Sequence, residues 1–146
     1  MKQPGCELCE AEGGRLILSN ECLRVVLVDD PDFPGFARVI WHDHVREMSD
    51  LAAGEQERLM QAVFAVERAQ RAVLAPDKVN LASLGNVVPH LHWHVIPRFS
   101  DDSRFPQPIW SPRTRERSAE ALESGRVQLD RLRHRIAEEL ARLARP

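Results

Sequence analysis

The residues best suited to chemistry lie in one stretch, Pro89-His90-Leu91-His92-Trp93-His94-Val95-Ile96-Pro97-Arg98, which holds three of the six histidines of the chain. They recur at i, i+2 and i+4, and Leu91, Trp93, Val95 and Ile96 around them favour a pleated, half-buried strand. Side chains alternate along a strand with a rise near 3.3 Å per residue. That spacing predicts His90, His92 and His94 on one face, about 6.6 Å apart. A helix would scatter the rings, and Pro97 would break it; prolines at 89 and 97 suit the two ends of a strand. A lone histidine here would be an ordinary solvated ring, but three in alternation beside apolar residues point to a site. Imidazole, with an ordinary pKa near 6.5, is a neutral nucleophile at pH 7 without the separate base that serine needs. Its bond to phosphorus is labile, so one ring can accept a phosphoryl group and pass it to water. His92, with a neighbour on each side, is the expected nucleophile. His94 would orient it or protonate the leaving group, and His90 completes the set.

Phosphate oxygens need donors, and the surrounding sequence is poor in lysine. Asn80, Ser83, Asn86 and the backbone amides around Gly85 are therefore the expected cradle. Arg98 either contacts a distal phosphate or pairs with Asp101 or Asp102. A second group of reactive side chains, Cys6-Glu-Leu-Cys9, precedes a glycine turn at 13 and 14 rather than a strand-to-helix junction, which favours metal over redox chemistry. Two cysteines cannot complete a tetrahedral zinc site, and His42, His44 and His90 are the available partners. Two reduced cysteines packed at a terminus are the alternative. Cys22 reads as an ordinary buried thiol.

The elements that must position these groups follow from turn residues and periodicity. Strands are expected at 15–19 and 23–28, joined at Asn20-Glu21, and again at 36–41 after the rigid turn Asp32-Phe-Pro-Gly35. A helix opening near Ser49 should run to Leu74, with Leu59, Met60, Val63, Val66 and Val73 as its apolar stripe and Phe64 widening it. Pro76 ends it. A strand at 78–84 should turn at Gly85-Asn86 and pair antiparallel with the histidine strand. After an irregular, proline-rich segment, Ser118 to Arg145 reads as an amphipathic helix interrupted near Gly125. With 146 residues, 43% hydrophobic and 29% charged, the chain suits one core. Its formal net charge of −2 gives no footprint for nucleic acid. No stretch has the length of a membrane span or the pattern of a signal peptide, which implies a cytoplasmic protein that binds neither membrane nor nucleic acid.

The pattern His-apolar-His-apolar-His-apolar-apolar at 90–96, followed by Pro97-Arg98, resembles the signature of the histidine triad (HIT) family of nucleotide hydrolases and transferases. Asn80-Leu-Ala-Ser-Leu-Gly-Asn86 resembles the family's approach to the triad, and Asp-Phe-Pro-Gly at 32–35 its early turn. The similarity runs from about Cys6 to about Phe105, and within the family is greatest to bacterial diadenosine tetraphosphate hydrolases. The resemblance implies an α+β, HIT-like fold: an antiparallel meander with one main helix and a C-terminal helix, residues 1–110 forming the HIT domain and 111–146 a helical extension packed on the domain or on a dimer partner. It implies a nucleotide substrate, a nucleotidyl intermediate on His92, a homodimer and no organic cofactor. It places a ribose contact at Asp29, and, in the family's zinc-containing members, a structural zinc on Cys6, Cys9, His44 and His90. Two departures stand out: Asn86 replaces the usual glutamine in a loop one residue shorter, and Phe36 replaces a histidine. The expected activity is hydrolysis of dinucleoside polyphosphates, with a nucleoside phosphoramidase or a zinc-stabilised nucleotide-binding module as alternatives.

Overall fold

The computed structural model describes residues 1–143. Five strands, β1 (Arg15–Ser19), β2 (Leu23–Leu27), β3 (Ala37–Trp41), β4 (Lys78–Ala82) and β5 (His92–Arg98), form one antiparallel sheet in the order β1-β2-β3-β5-β4. The first three run consecutively. The β1–β2 turn closes because the Asn20 side chain accepts the amide hydrogens of Cys22 and Leu23, both at 2.9 Å. At the 32–35 turn the backbone needs φ +90° at Gly35, and a Cβ there would meet the Leu74 side chain at 2.5 Å. β5 inserts between β3 and β4, so the histidine strand has a neighbour on both sides. It is shorter than the sequence suggests, since pairing starts at His92 and leaves His90 in the preceding bend.

Helix α1 (Glu7–Glu10) is a single turn carrying Cys9. The long helix α2 (Ala53–Leu74) starts later than expected: Met48–Asp50 forms a separate 3-10 turn, and Glu55 then accepts the Ala52 amide at 2.9 Å to open α2. Ala75 ends α2 in a left-handed conformation before Pro76. The C-terminal helical stretch divides into α3 (Ala119–Arg126) and α4 (Leu129–Leu143). The break lies beside Gly125, where a Cβ would sit 3.0 Å from Pro34. Ala144 and Arg145 of the expected helix lie outside the described residues.

Alternation gives the sheet two different faces. On one, Val25, Val39 and Val95 meet Leu59, Val63 and Val66 of α2 together with Leu132 and Ile136 of α4, all fully buried. Each such side chain contributes about 1.5–3 kcal/mol relative to exposure. Phe64, expected to join this stripe, is 42% exposed: it lies on the far side of α2 from Ala62, Val63 and Val66. Between α2 and α4 the buried Glu139 carboxylate binds Arg68, Arg135 and Arg142, which holds it below the ordinary carboxylate range. The other face is covered at one end by Cys6, Leu8 and Cys9 over Val26 and Ile40, and at the other by Ile109 with Phe33, Phe36 and Ile96. His92, His94 and Arg38 lie between these two clusters. Among the described residues no helix is long and apolar enough to cross a membrane.

Candidate active site and metal centre

The strand predicts which side chains share a face, and the backbone then decides what each ring can do. His92 and His94 stand side by side on β5, their ring centroids 4.8 Å apart and their planes nearly perpendicular. Both are 6% exposed. The His92 Nδ1 hydrogen goes to the main-chain carbonyl of His90 at 2.5 Å, so the lone pair resides on Nε2, away from the backbone. Burial, then the nearby Arg38 charge, hold the His92 ring below its ordinary pKa against the His90 carbonyl and Glu7. It is therefore neutral and nucleophilic at pH 7. His94 is pushed down to about 3 by burial, then by His92 and Arg38. So strongly neutral a ring suits orientation and hydrogen bonding better than storage of a proton for the leaving group. Its Nδ1 is buried without a partner, and its faces are flanked by Phe36 and Trp110 at centroid distances of 5.6 and 5.0 Å.

The third histidine departs from the expected row. His90 is fully buried in the bend before β5, and its ring does not join the other two. Nε2–H donates to the Trp41 carbonyl at 2.7 Å, while Nδ1 lies 3.5 Å from Cys6 Sγ and 3.4 Å from Cys9 Sγ. With both ring nitrogens engaged, His90 has none to relay protons. Its carbonyl, not its ring, touches His92. His44 Nδ1 is 3.5 Å from Cys9 Sγ, and the four ligand atoms of Cys6, Cys9, His44 and His90 all fall within 4.8 Å of one another. Ordinary Zn–S and Zn–N bonds in a tetrahedron imply sulfur-to-nitrogen edges of about 3.6 Å. The observed edges match that size, and the Trp41 carbonyl fixes the tautomer that leaves Nδ1 of His90 facing the sulfurs. His42, the other sequence candidate, is turned away, with Nε2 donating to the Asn20 carbonyl at 2.8 Å.

The expected phosphate cradle is only partly assembled. Arg98 is 2% exposed and binds the Asp102 carboxylate with Nε at 2.7 Å and a terminal nitrogen at 3.1 Å, then Asn80 Oδ1 and the Gln107 carbonyl, each at 2.7 Å. Every nitrogen has a partner within the protein, so Arg98 makes the expected pairing with Asp102 and braces the 99–107 loop. Ser83 donates its hydroxyl to the His92 carbonyl at 2.9 Å and has no hydrogen left for phosphate. Asn80 lies on the histidine face of β4 opposite Ile96, with its oxygen on Arg98 and its amide nitrogen free of bonds among the described residues. Gly85, at φ +69°, and the exposed Asn86 form the turn before β5. Asp29 is exposed and lines a hollow of about 380 Å³ with Pro31, Pro34 and Arg126, whose walls include none of the triad. The structure thus does not bring Asp29 to the histidines. A larger hollow of about 710 Å³ adjoins the site, walled in part by Asn80, Ala82, Ile96, Ile109 and Trp110.

Two neighbours of the histidines escaped the sequence reading. Trp110 reaches His94 from an irregular segment whose path only the folded chain sets. Arg38 did leave a signal, as the one charged residue in the apolar strand Ala37-Arg-Val-Ile-Trp41.

The antiparallel sheet thus presents a buried imidazole with one free nitrogen, beside a Cys2His2 cluster. The HIT-domain profile matches residues 12–101, and the chain belongs to the HIT family of nucleotide-processing proteins. It is similar to the AP-4-A phosphorylase of Mycobacterium tuberculosis, with 29% identity over 100 residues covering 64% of this chain and 51% of the relative. The chain thus spans about half the length of the curated relatives it matches. A histidine triad protein from Marinobacter aquaeolei superposes with a TM-score of 0.70 at 27% identity, covering 93% of this chain and 98% of that one. A zinc-bound histidine triad family protein from Mycobacterium smegmatis shares the fold with a TM-score of 0.60 at 24% identity, covering 92% and 94%.

Proposed function

We propose that the protein transfers a nucleotidyl group from a dinucleoside polyphosphate to water through a covalent intermediate on His92. The observation that carries this reading is the hydrogen bond from His92 Nδ1 to the His90 carbonyl, which leaves Nε2 as the attacking atom. Nε2 forms the bond to the α-phosphorus as the bond to the leaving polyphosphate oxygen breaks. Water then attacks the same phosphorus, the P–N bond breaks, and the proton of the water is lost to solvent or the leaving group. His94 orients the site, Asn80, Asn86 and the amides around Gly85 are the nearest neutral donors of the cradle, and Asp29 stays a proposed ribose contact only if the loop moves toward the site. The likeness to AP-4-A phosphorylase supports a diadenosine tetraphosphate-type substrate. A phosphoramidase reading is favoured by one observation: Arg98 and Ser83 are engaged within the protein, which leaves little to recognise distal phosphates.

We propose zinc as a structural ion on Cys6, Cys9, His44 and His90, because four protein ligands leave no open position for a catalytic water. It would tie the N-terminal segment to the bend that carries the His90 carbonyl. We also propose a cytoplasmic location, where thiols such as Cys6, Cys9 and Cys22 stay reduced. The unpaired edge of β4, with Leu84 and Trp110 exposed near it, supports a homodimer, and the proposed division is a HIT domain over 1–110 with a helical extension over 111–146. The test is a substrate panel of diadenosine tetraphosphate and adenosine phosphoramidate, with and without inorganic phosphate, under a neutral quench that preserves P–N bonds. Wild type should form a nucleotidylated protein, and His92→Ala should form none and lose turnover while retaining nucleotide binding. Turnover of His92→Ala within tenfold of wild type would sink the mechanism.

A further inference from the structure

We propose that Arg38 is the phosphate-binding cation of this site, its guanidinium gripping the non-bridging oxygens of the phosphate presented to His92. This rests on the nucleotide reading above and adds to it a residue that the triad signature does not contain. Arg38 pairs directly across from His94 in the β3–β5 register, so its side chain leaves the sheet on the histidine face. Its guanidinium carbon lies 5.8 Å from the centre of the Phe36 ring, and the His94 ring lies 5.6 Å from the same centre. One aromatic side chain therefore supports both groups.

What sets Arg38 apart is how little of its hydrogen-bonding capacity the protein uses. One terminal nitrogen donates to the Gly13 carbonyl at 3.1 Å, and Nε is buried with no partner. Among the described residues no carboxylate comes within ion-pair distance of it; Glu7 acts only at longer range. The other arginines on this face are committed. Arg98 binds Asp102, and Arg24 donates to the carbonyls of Leu8, Ala11 and Glu12. Holding a half-buried cation with donors unmet is unfavourable, and a bound anion would relieve it. A planar fork suits phosphate better than any single donor. The need is also specific, because two of the expected phosphate donors, Arg98 and Ser83, are turned to other work. A purely structural alternative exists: Arg38 could serve only to pin Gly13 against the sheet.

Titration calorimetry with AMP, and adenosine followed to millimolar concentration by the Trp110 indole resonance, separates the two. Arg38→Leu should weaken AMP by about 10- to 100-fold while leaving adenosine within twofold of wild type. Arg38→Lys keeps the charge without the fork and should fall between them. If Arg38→Leu does not fold, Arg38→Lys decides alone: AMP weakened at least severalfold with adenosine unchanged supports the assignment, and equal behaviour toward both ligands overturns it. AMP binding equal to wild type in Arg38→Leu, or an equal loss for AMP and adenosine, overturns the assignment while leaving the nucleotide reading intact. A wild type that binds neither AMP nor adenosine overturns both.

Discussion

Arg98 ends the histidine strand with its guanidinium inside the protein, and replacing it with leucine tests whether that charge serves the fold or the substrate. Four hydrogen bonds disappear: two to Asp102, one to Asn80 and one to the Gln107 carbonyl. The larger effect falls on what stays behind, since the Asp102 side chain is 1% exposed and would lose the one cation paired with it among the described residues. Its remaining partners are the amides of Phe99, Arg104 and Phe105. Breaking one side of a buried ion pair destabilises by about 3–5 kcal/mol. For a domain of this size that corresponds to a fall in Tm of about 8–15 °C. Urea unfolding and calorimetry of Arg98→Leu measure this directly, and Arg98→Leu combined with Asp102→Leu should be less destabilised than the sum of the two single changes. The reasoning fails if Arg98→Leu keeps its stability within 1 kcal/mol of wild type and instead loses affinity for diadenosine tetraphosphate but not for AMP.

If His94 has its proposed role of orienting the reacting group, His94→Ala should lower kcat by a factor of about 10²–10⁴ with a smaller change in KM; steady-state kinetics check this. Chelation of the purified protein, or Cys9→Ser, should lower Tm before it lowers activity, and His90→Ala should resemble the cysteine variant rather than His94→Ala, because its ring faces the cluster. Metal analysis that finds no bound metal in a wild type of undiminished stability refutes the site. Stability should also fall on acidification earlier than carboxylates alone would cause. His94, pushed down to about 3, is neutral in the folded protein, whereas the unfolded chain takes up a proton near pH 6.5. Its contribution is therefore complete above pH 6.5 and declines as pH falls from there toward 3, by up to about 1.4 kcal/mol per unit. Burial pushes the Asp102 carboxyl up, but its bonds from Arg98 and from the Arg104 and Phe99 amides outweigh that and hold it low. That contribution is present above the ordinary carboxylate range and lost below it. Urea midpoints measured from pH 8 to pH 3 should begin to fall near pH 6.5 in wild type and fall less steeply in His94→Phe, where His92, also held low by burial, still contributes.

The sequence alone determined the strand and the α+β class, since two-residue alternation, flanking prolines and a 3.6-residue apolar stripe are local properties that survive in any packing. It also made His92 a candidate nucleophile and Cys6 and Cys9 candidate metal ligands, because these readings follow from residue type and spacing. Three things were decided only by the tertiary structure. The first is that His90 turns its ring into the cysteine cluster and its carbonyl toward His92: the sheet starts at His92, one residue pair later than the alternation suggests, and the N-terminal segment arrives from 84 residues away. The second is that the buried Arg98 and the exposed Ser83 both spend their donors on protein partners, which depends on where Asp102 and the His92 carbonyl fall in space. The third is Arg38, a lone charge in an apolar strand whose meaning appears only when β3 pairs with β5 and sets it opposite His94. Local sequence fixes which face a side chain takes; the partner across that face is supplied by a remote segment, and only the folded chain brings the two together.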